Sequence, residues 1–278
     1  MPDFVRRSAR HASFVIGAVL VGALLLSAAV SLVWSPWPPA EIDIPNKFAA
    51  PSAAHWFGTD SLGRDIAAQL LVGSQNSIVV GVVAVGIGLV FGVSLGLLAA
   101  ARRGWVDDLV MRLADFAFAF PALLLAILLT AIYGPGLLVS IVAIGIFNIP
   151  VFARIARGAA AAVWSREFAL AARACGKGRW QITLHHVLPN IASVLIVQAT
   201  VQFAMAILAE AALSYLGLGT QPPQPSWGRM LNEAQAQLFQ APLLALYPGL
   251  AIALSVLGLN LIGDGLRDLL DPRLARRR

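Results

Sequence analysis

Few side chains in this sequence could make or break a covalent bond, and their spacing argues against most such chemistry. His185 and His186 are adjacent, so on a helix they point in different directions and cannot form a compact metal pair. His11 and His55 lie far from them, and no Ser/His/acid or Cys/His grouping emerges. "GTDSLGRD" at 58–65 has two suggestively spaced glycines, but Arg64-Asp65 follow where a phosphate-binding loop needs Lys and Ser or Thr. "CGKG" at 175–178 lacks the upstream glycine of such a loop. A single cysteine, Cys175, excludes an internal disulfide and fits a reducing compartment. What remains suits contact and passage. Asn148, Gln198, Gln202 and Glu210 stand isolated in apolar surroundings, where polar groups either bond across helices or line a path. Gln198 and Gln202, four apart, share a helical face. Glu210 has two readings: it pairs with a helix N-terminus or a partner subunit, or it lines the substrate path.

The other conspicuous group is a run of cations. "AARACGKGRWQITLHHVLPN" at 171–190 gathers Arg173, Lys177, Arg179, His185 and His186. The alanine-rich "REFALAARA" from Arg166 has good helix propensity, and Gly176 is a natural left-handed stop. "RWQITLHHV" resumes a helical pattern, and Pro189 suits the first turn of a following span. The expectation is helix, sharp turn, helix, with Phe168, Ala171, Ala172 and Cys175 as a small-residue stripe. Such a surface fits docking of another protein, or alternatively a basic helix lying on anionic lipid.

The elements that position these residues follow from composition. The chain is 59% hydrophobic and only 12% charged, where soluble domains carry about 25% charged residues. Ala12–Ala40, Ile66–Ala101, Phe116–Ala153, Val187–Ala209 and Ala234–Gly263 contain no Asp, Glu, Lys or Arg. Crossing ~30 Å of hydrocarbon takes roughly 20 residues, so each stretch is long enough. Gly134-Pro135-Gly136 divides the third stretch into two helices. Six spans result, near 13–34, 77–101, 114–133, 137–155, 191–216 and 244–263. This makes an all-α integral membrane protein in the lipid bilayer.

Sidedness comes from the cations. Of 20 lysines and arginines, all but Lys47, Arg64 and Arg229 fall at the termini or in the second and fourth interhelical loops. The positive-inside rule makes that side, and both termini, cytoplasmic. The net charge of +6 reflects this distribution rather than nucleic-acid binding. Arg6, Arg7 and Arg10 before an apolar stretch, with "SAAV" at 27–30, also permit a cleavable signal peptide. The length of the stretch, with Trp34 and Trp37 placed for an aromatic belt, favours a retained helix. Two external segments, about 35–76 and 217–243, are expected to fold on the outer face. In the first, Thr59, Asp60 or Ser61 can cap a helix beginning near Leu62.

The run "AARACG…HHVLPN" resembles the loop signature of permease subunits of bacterial ATP-binding-cassette (ABC) importers. Ala171, Ala172, Gly176, Leu188 and Pro189 match at the required spacing, while Leu170 replaces a Glu and His186 an Ile. "HWFGTDSLGRD" at 55–65, "GLGTQPPQPSWGRML" at 217–231 and "NLIGDGLRDLLDPR" at 260–273 resemble the dipeptide/oligopeptide and nickel branch, in its C-type subunit. The resemblance covers essentially the whole chain. It implies a type I importer permease fold in the bacterial inner membrane, with an N-terminal tail, first helix and external segment over 1–76. The transmembrane domain would be 77–278, with a coupling loop at about 156–190. It implies ATPase contact through Glu167, Ala171, Ala172, Arg173, Gly176, His186, Leu188 and Pro189. It also implies a binding-protein surface including Gly58, Thr59, Asp60 and Trp227. Implied partners are a second homologous permease, two ATPase subunits carrying ATP and Mg²⁺, and an extracytoplasmic binding protein. This chain itself would bind no cofactor or metal and catalyse nothing. The implied function is import of short peptides by alternating access, or of nickel complexes or another small solute. An ion-coupled secondary transporter is the remote alternative.

Overall fold

The computed structural model describes residues 11–270 and is helical throughout its spans. Arg6, Arg7, Arg10, Arg273, Arg276, Arg277 and Arg278, among the cations expected on the cytoplasmic side, lie outside those residues. The helices are α1 (Ala12–Val33), α2 (Ile66–Arg102), α3 (Trp105–Ala119), α4 (Ala122–Tyr133), α5 (Leu137–Trp164), α6 (Glu167–Ala174), α7 (Arg179–Tyr215), α8 (Trp227–Gln235) and α9 (Leu243–Leu270). Among them α1, α2, α5, α7 and α9 are long and apolar enough to cross a membrane, and α3–α4 together make a sixth candidate.

Three expectations shift. The single helix expected over 114–133 is two, bent by 80°. Pro121 has no N–H to give, and it drives Phe120 into an extended conformation (φ −94°, ψ 123°). The 12-residue α4 is only about 18 Å long, too short to cross alone. The second span begins at Ile66, not 77, so the expected boundary between 76 and 77 falls inside a helix. Its cap is Asp65, whose carboxylate accepts the Ala68 N–H at 2.7 Å, rather than Thr59, Asp60 or Ser61. Pro189 does not open a span either. It lies within α7, just after a π-helical segment, Thr183–Val187, where the Leu188 N–H reaches back to Thr183 O. Widening the helix there relieves the clash that proline makes with the preceding turn.

α2, α5 and α7 form the centre, with α1 and α9 paired alongside. Gly88, Gly92 and Gly96, four apart, bring α2 against α5. A β-carbon on them would sit 2.6 Å from Asn148 Cβ, 2.4 Å from Ile149 O and 2.4 Å from Ala153 O respectively. In lipid, where apolar burial gives helices little reason to associate, such close backbone packing supplies the attraction. Toward the turn at Gly176, the same helices bury Leu97, Phe152, Ala156, Ile182, Val187 and Ile191. At the other end, α8 lies on α2 and α7, held by Trp227, whose indole N–H donates to Leu70 O at 3.0 Å.

Candidate functional site

The cation-rich stretch folds as helix, turn, helix. α6 ends at Ala174, and Gly176 takes φ +80°, a conformation that a side chain would strain. The Gly176 and Lys177 N–H groups return to Arg173 O (3.0 Å) and Ala172 O (3.2 Å), satisfying carbonyls at the helix end. Glu167, Phe168, Ala171, Arg173, Cys175 and Gly176 face outward. Space around Gly176 is open, with no atom within 4 Å of where a β-carbon would be. Lys177 Nζ meets His186 Nε2 at 3.1 Å across the turn. Ala172 departs from the expected stripe. With Ala169 it packs into the core and is 9% exposed, so it seats α6 instead of presenting it. Leu188 is half-buried and Pro189 exposed.

The four polar residues of the spans divide. Asn148 and Gln202 line one cavity of about 190 Å³ between α4, α5 and α7, otherwise walled by apolar side chains such as Phe147, Val151 and Met205. The Asn148 amide also donates to Ala84 O at 3.3 Å. Gln198, half-buried one turn from Gln202 on α7, does not line this cavity. Glu210 lies away from it, 0% exposed. Its Oε1 accepts Ser214 Oγ–H at 2.7 Å and faces Thr220 Oγ1 at 3.5 Å, while Ser214 Oγ accepts the Thr220 N–H at 3.0 Å. Glu210 Oε1 therefore pins the loop after α7, and among the described residues no Lys, Arg or His pairs with it.

The residues expected to form a binding-protein surface are also turned inward. Gly58, Thr59, Asp60 and Trp227 are all buried, so they support the surface at this end of the bundle without forming it. Thr59 exchanges hydrogen bonds with Asn46 O and Ala49 N. Asp60 is spent inside: Oδ1 accepts the Leu62 and Arg64 N–H groups at 2.8 and 2.9 Å, and Oδ2 accepts Arg64 Nε at 2.6 Å and Gln69 Nε2 at 3.0 Å. Arg64 continues to Glu233 of α8, which Arg229 also holds at 2.7 Å. Burial disfavours the charge on Arg64, but Asp60 and Glu233 outweigh it and raise its pKa above the ordinary guanidinium value. Sequence spacing carried no sign of this link between residues 64 and 233. The four-residue glycine period on α2 was visible in sequence and marks a helix contact.

Residues 92–276 match the family described as binding-protein-dependent transport system inner membrane component. The chain belongs to that family. Like other members, this inner membrane component is a multi-pass permease of an ABC transporter complex, with ATP bound on separate ATPase subunits and no catalysis of its own. It is 44% identical to the dipeptide transport system permease protein DppC of Alkalihalophilus pseudofirmus, over 94% of this chain and 86% of that one. It is 46% identical to the glutathione transport system permease protein GsiD of Escherichia coli O157:H7, over 98% and 90%. The GsiD protein of Pectobacterium atrosepticum is 42% identical over 98% and 91%. Among solved structures, the permease fold is similar to a chain of the inward-facing MetNI methionine ABC transporter. That match has a TM-score of 0.61 at 20% identity and covers 73% of this chain and 97% of that one.

Proposed function

We propose that this permease imports short peptides, dipeptides or the tripeptide glutathione, into the cytoplasm. The reading draws on the relatives' substrates and on one geometric observation. The exposed turn at Gly176 leads directly into α7, a 37-residue helix. At ~1.5 Å per residue α7 is about 55 Å long, enough to reach from one face of the membrane to the other. A push on the turn is thereby delivered to the cavity wall at Gln202 and to the external loop at Glu210. In this scheme Glu167, Ala171, Arg173, Gly176 and His186 meet an ATPase subunit, with Leu188 and Pro189 shaping the helix behind them. The cation distribution supports placing the turn and both termini on the cytoplasmic side.

The cavity between α4, α5 and α7 is half of a passage. A second homologous permease closes it, two ATPases drive it, and an extracytoplasmic binding protein delivers substrate onto the surface built over Asp60 and Trp227. ATPase closure and reopening alternate the exposed side. Uptake into proteoliposomes holding the assembled transporter tests this reading. Import of dialanine or glutathione should require ATP and the binding protein. Import of a nickel complex in their place would transfer the assignment to the other branch of the family.

A further inference from the structure

Two ion pairs join α3 to α5, and they are built differently. Arg157 grips Asp107 with both Nε and Nη2, at 2.9 and 2.6 Å, and the Asp107 side chain is sheltered at 16% exposed. Arg154 reaches Asp115 through Nη2 alone, and these side chains remain 45% and 65% exposed. A single-contact exposed pair contributes little to stability. The tie between the helices is carried by Asp107–Arg157, and Arg154 can change partners at little cost.

Arg154 also stands in a particular place. Phe147, Asn148 and Val151 line the cavity, and Arg154 follows Val151 by three residues, the next step along that face of α5. Its guanidinium lies over the Phe118 ring at 4.4 Å, and Phe118 meets Phe147 edge-on at 5.8 Å. Cavity wall, aromatic ring and guanidinium are thus contiguous. On α7, which runs the other way, Gln198 precedes the cavity-lining Gln202 by one turn. Arg154 and Gln198 make the next polar layer toward the coupling turn. Among the described residues no Lys, Arg or His lines the cavity itself. A peptide carboxylate leaving it has lost water and needs a cation at that step.

We propose that Arg154 is the carboxylate contact of the translocation path, exchanging Asp115 for the carboxylate of the passing peptide. This rests on the peptide-import reading above. The planar guanidinium, supported on Phe118, presents a fork that fits a carboxylate. Asp115 competes for the same fork, so the substrate is held briefly and released toward the cytoplasm.

If Arg154 and Asp115 were only a structural tie, neutralising either would have the same effect, and reversing both would restore function. The exchange predicts otherwise. In proteoliposomes with the complete transporter, dialanine uptake and ATP hydrolysis are measured together. Arg154→Gln should lower uptake per ATP by roughly tenfold or more, with ATP hydrolysis retained. Asp115→Asn should import at least as well as wild type. The reversed pair, Asp115→Arg with Arg154→Asp, should assemble and hydrolyse ATP but fail to import. Equal losses in the two single variants, normal uptake by Arg154→Gln, or recovery in the reversed pair would overturn this inference alone. A wild-type complex that hydrolyses ATP but imports neither dialanine nor glutathione would overturn the peptide reading with it.

Discussion

Gly92 of α2 lies so close to Ile149 of α5 that a β-carbon on it would come within 2.4 Å of the Ile149 carbonyl oxygen. The obstacle is backbone, so it cannot rotate away. Gly92→Ala should therefore separate α2 from α5 and lower stability by about 1–3 kcal/mol, as overpacking does. Gly86, on the same helix, has nothing within 4 Å of its β-carbon position and provides the control. Thermal unfolding of the purified complex should show a lower Tm for Gly92→Ala and little change for Gly86→Ala.

Gly176 and Gly178 flank Lys177 in the turn after α6, but only Gly176 has a positive φ; Gly178 is extended at φ −67°. Gly176→Val should strain the turn by roughly 1–2 kcal/mol and re-aim α6, abolishing uptake while membrane insertion stays normal. Gly178→Ala should be tolerated at the backbone level. Transport assays beside quantification of the membrane-inserted protein check the contrast. Normal uptake by the Gly176 variant would refute the coupling role.

Glu210 is the acceptor on which the loop after α7 depends. Glu210→Ala would leave the buried Ser214 hydroxyl without the partner it now has at 2.7 Å, at a cost of about 1–3 kcal/mol. Glu210→Gln keeps an acceptor oxygen and should lose less. If Glu210 instead lined the path, both variants would impair uptake without lowering the Tm.

Arg64 joins Asp60 to Glu233, with its side chain 12% exposed. Arg64→Ala leaves Asp60 without its guanidinium partner and Glu233 with Arg229 alone, and should destabilise the packing of the 58–65 segment on α8 by on the order of 3 kcal/mol. The pH dependence has a definite sign. Because its folded pKa is raised, the stability from Arg64 is fully present below the unfolded value and is lost only as pH rises through the folded one. Mildly alkaline buffer should leave this packing intact, and proteolysis of the segment before α2 in wild type and variant at rising pH tests this.

The composition makes a membrane protein legible, because charge-free stretches of sufficient length have no stable alternative in water. Gly134-Pro135-Gly136 and Gly176 were legible for a related reason: each acts through its own backbone, and local conformational limits are written residue by residue. Pro121 and Pro189 obey the same chemistry with less predictable results. At Pro121 the chain bends by 80°, whereas at Pro189 a π-helical turn absorbs the defect and α7 continues. Which outcome prevails depends on what packs alongside.

The use of the polar side chains was not legible. Asn148, Gln202 and Glu210 look alike in sequence, each a polar residue amid apolar ones. Only the packing of α4, α5 and α7 puts the first two on a cavity, and only the return of Ser214 and Thr220 closes the third away from it. Sequence alone determined the class, the main spans and the helix–turn–helix at Gly176, since burial length, charge distribution and glycine conformation act locally or in sum. Tertiary structure decided what each buried polar group does, because a hydrogen bond or ion pair between residues such as Arg64 and Glu233 depends on distance in space, which sequence separation does not encode.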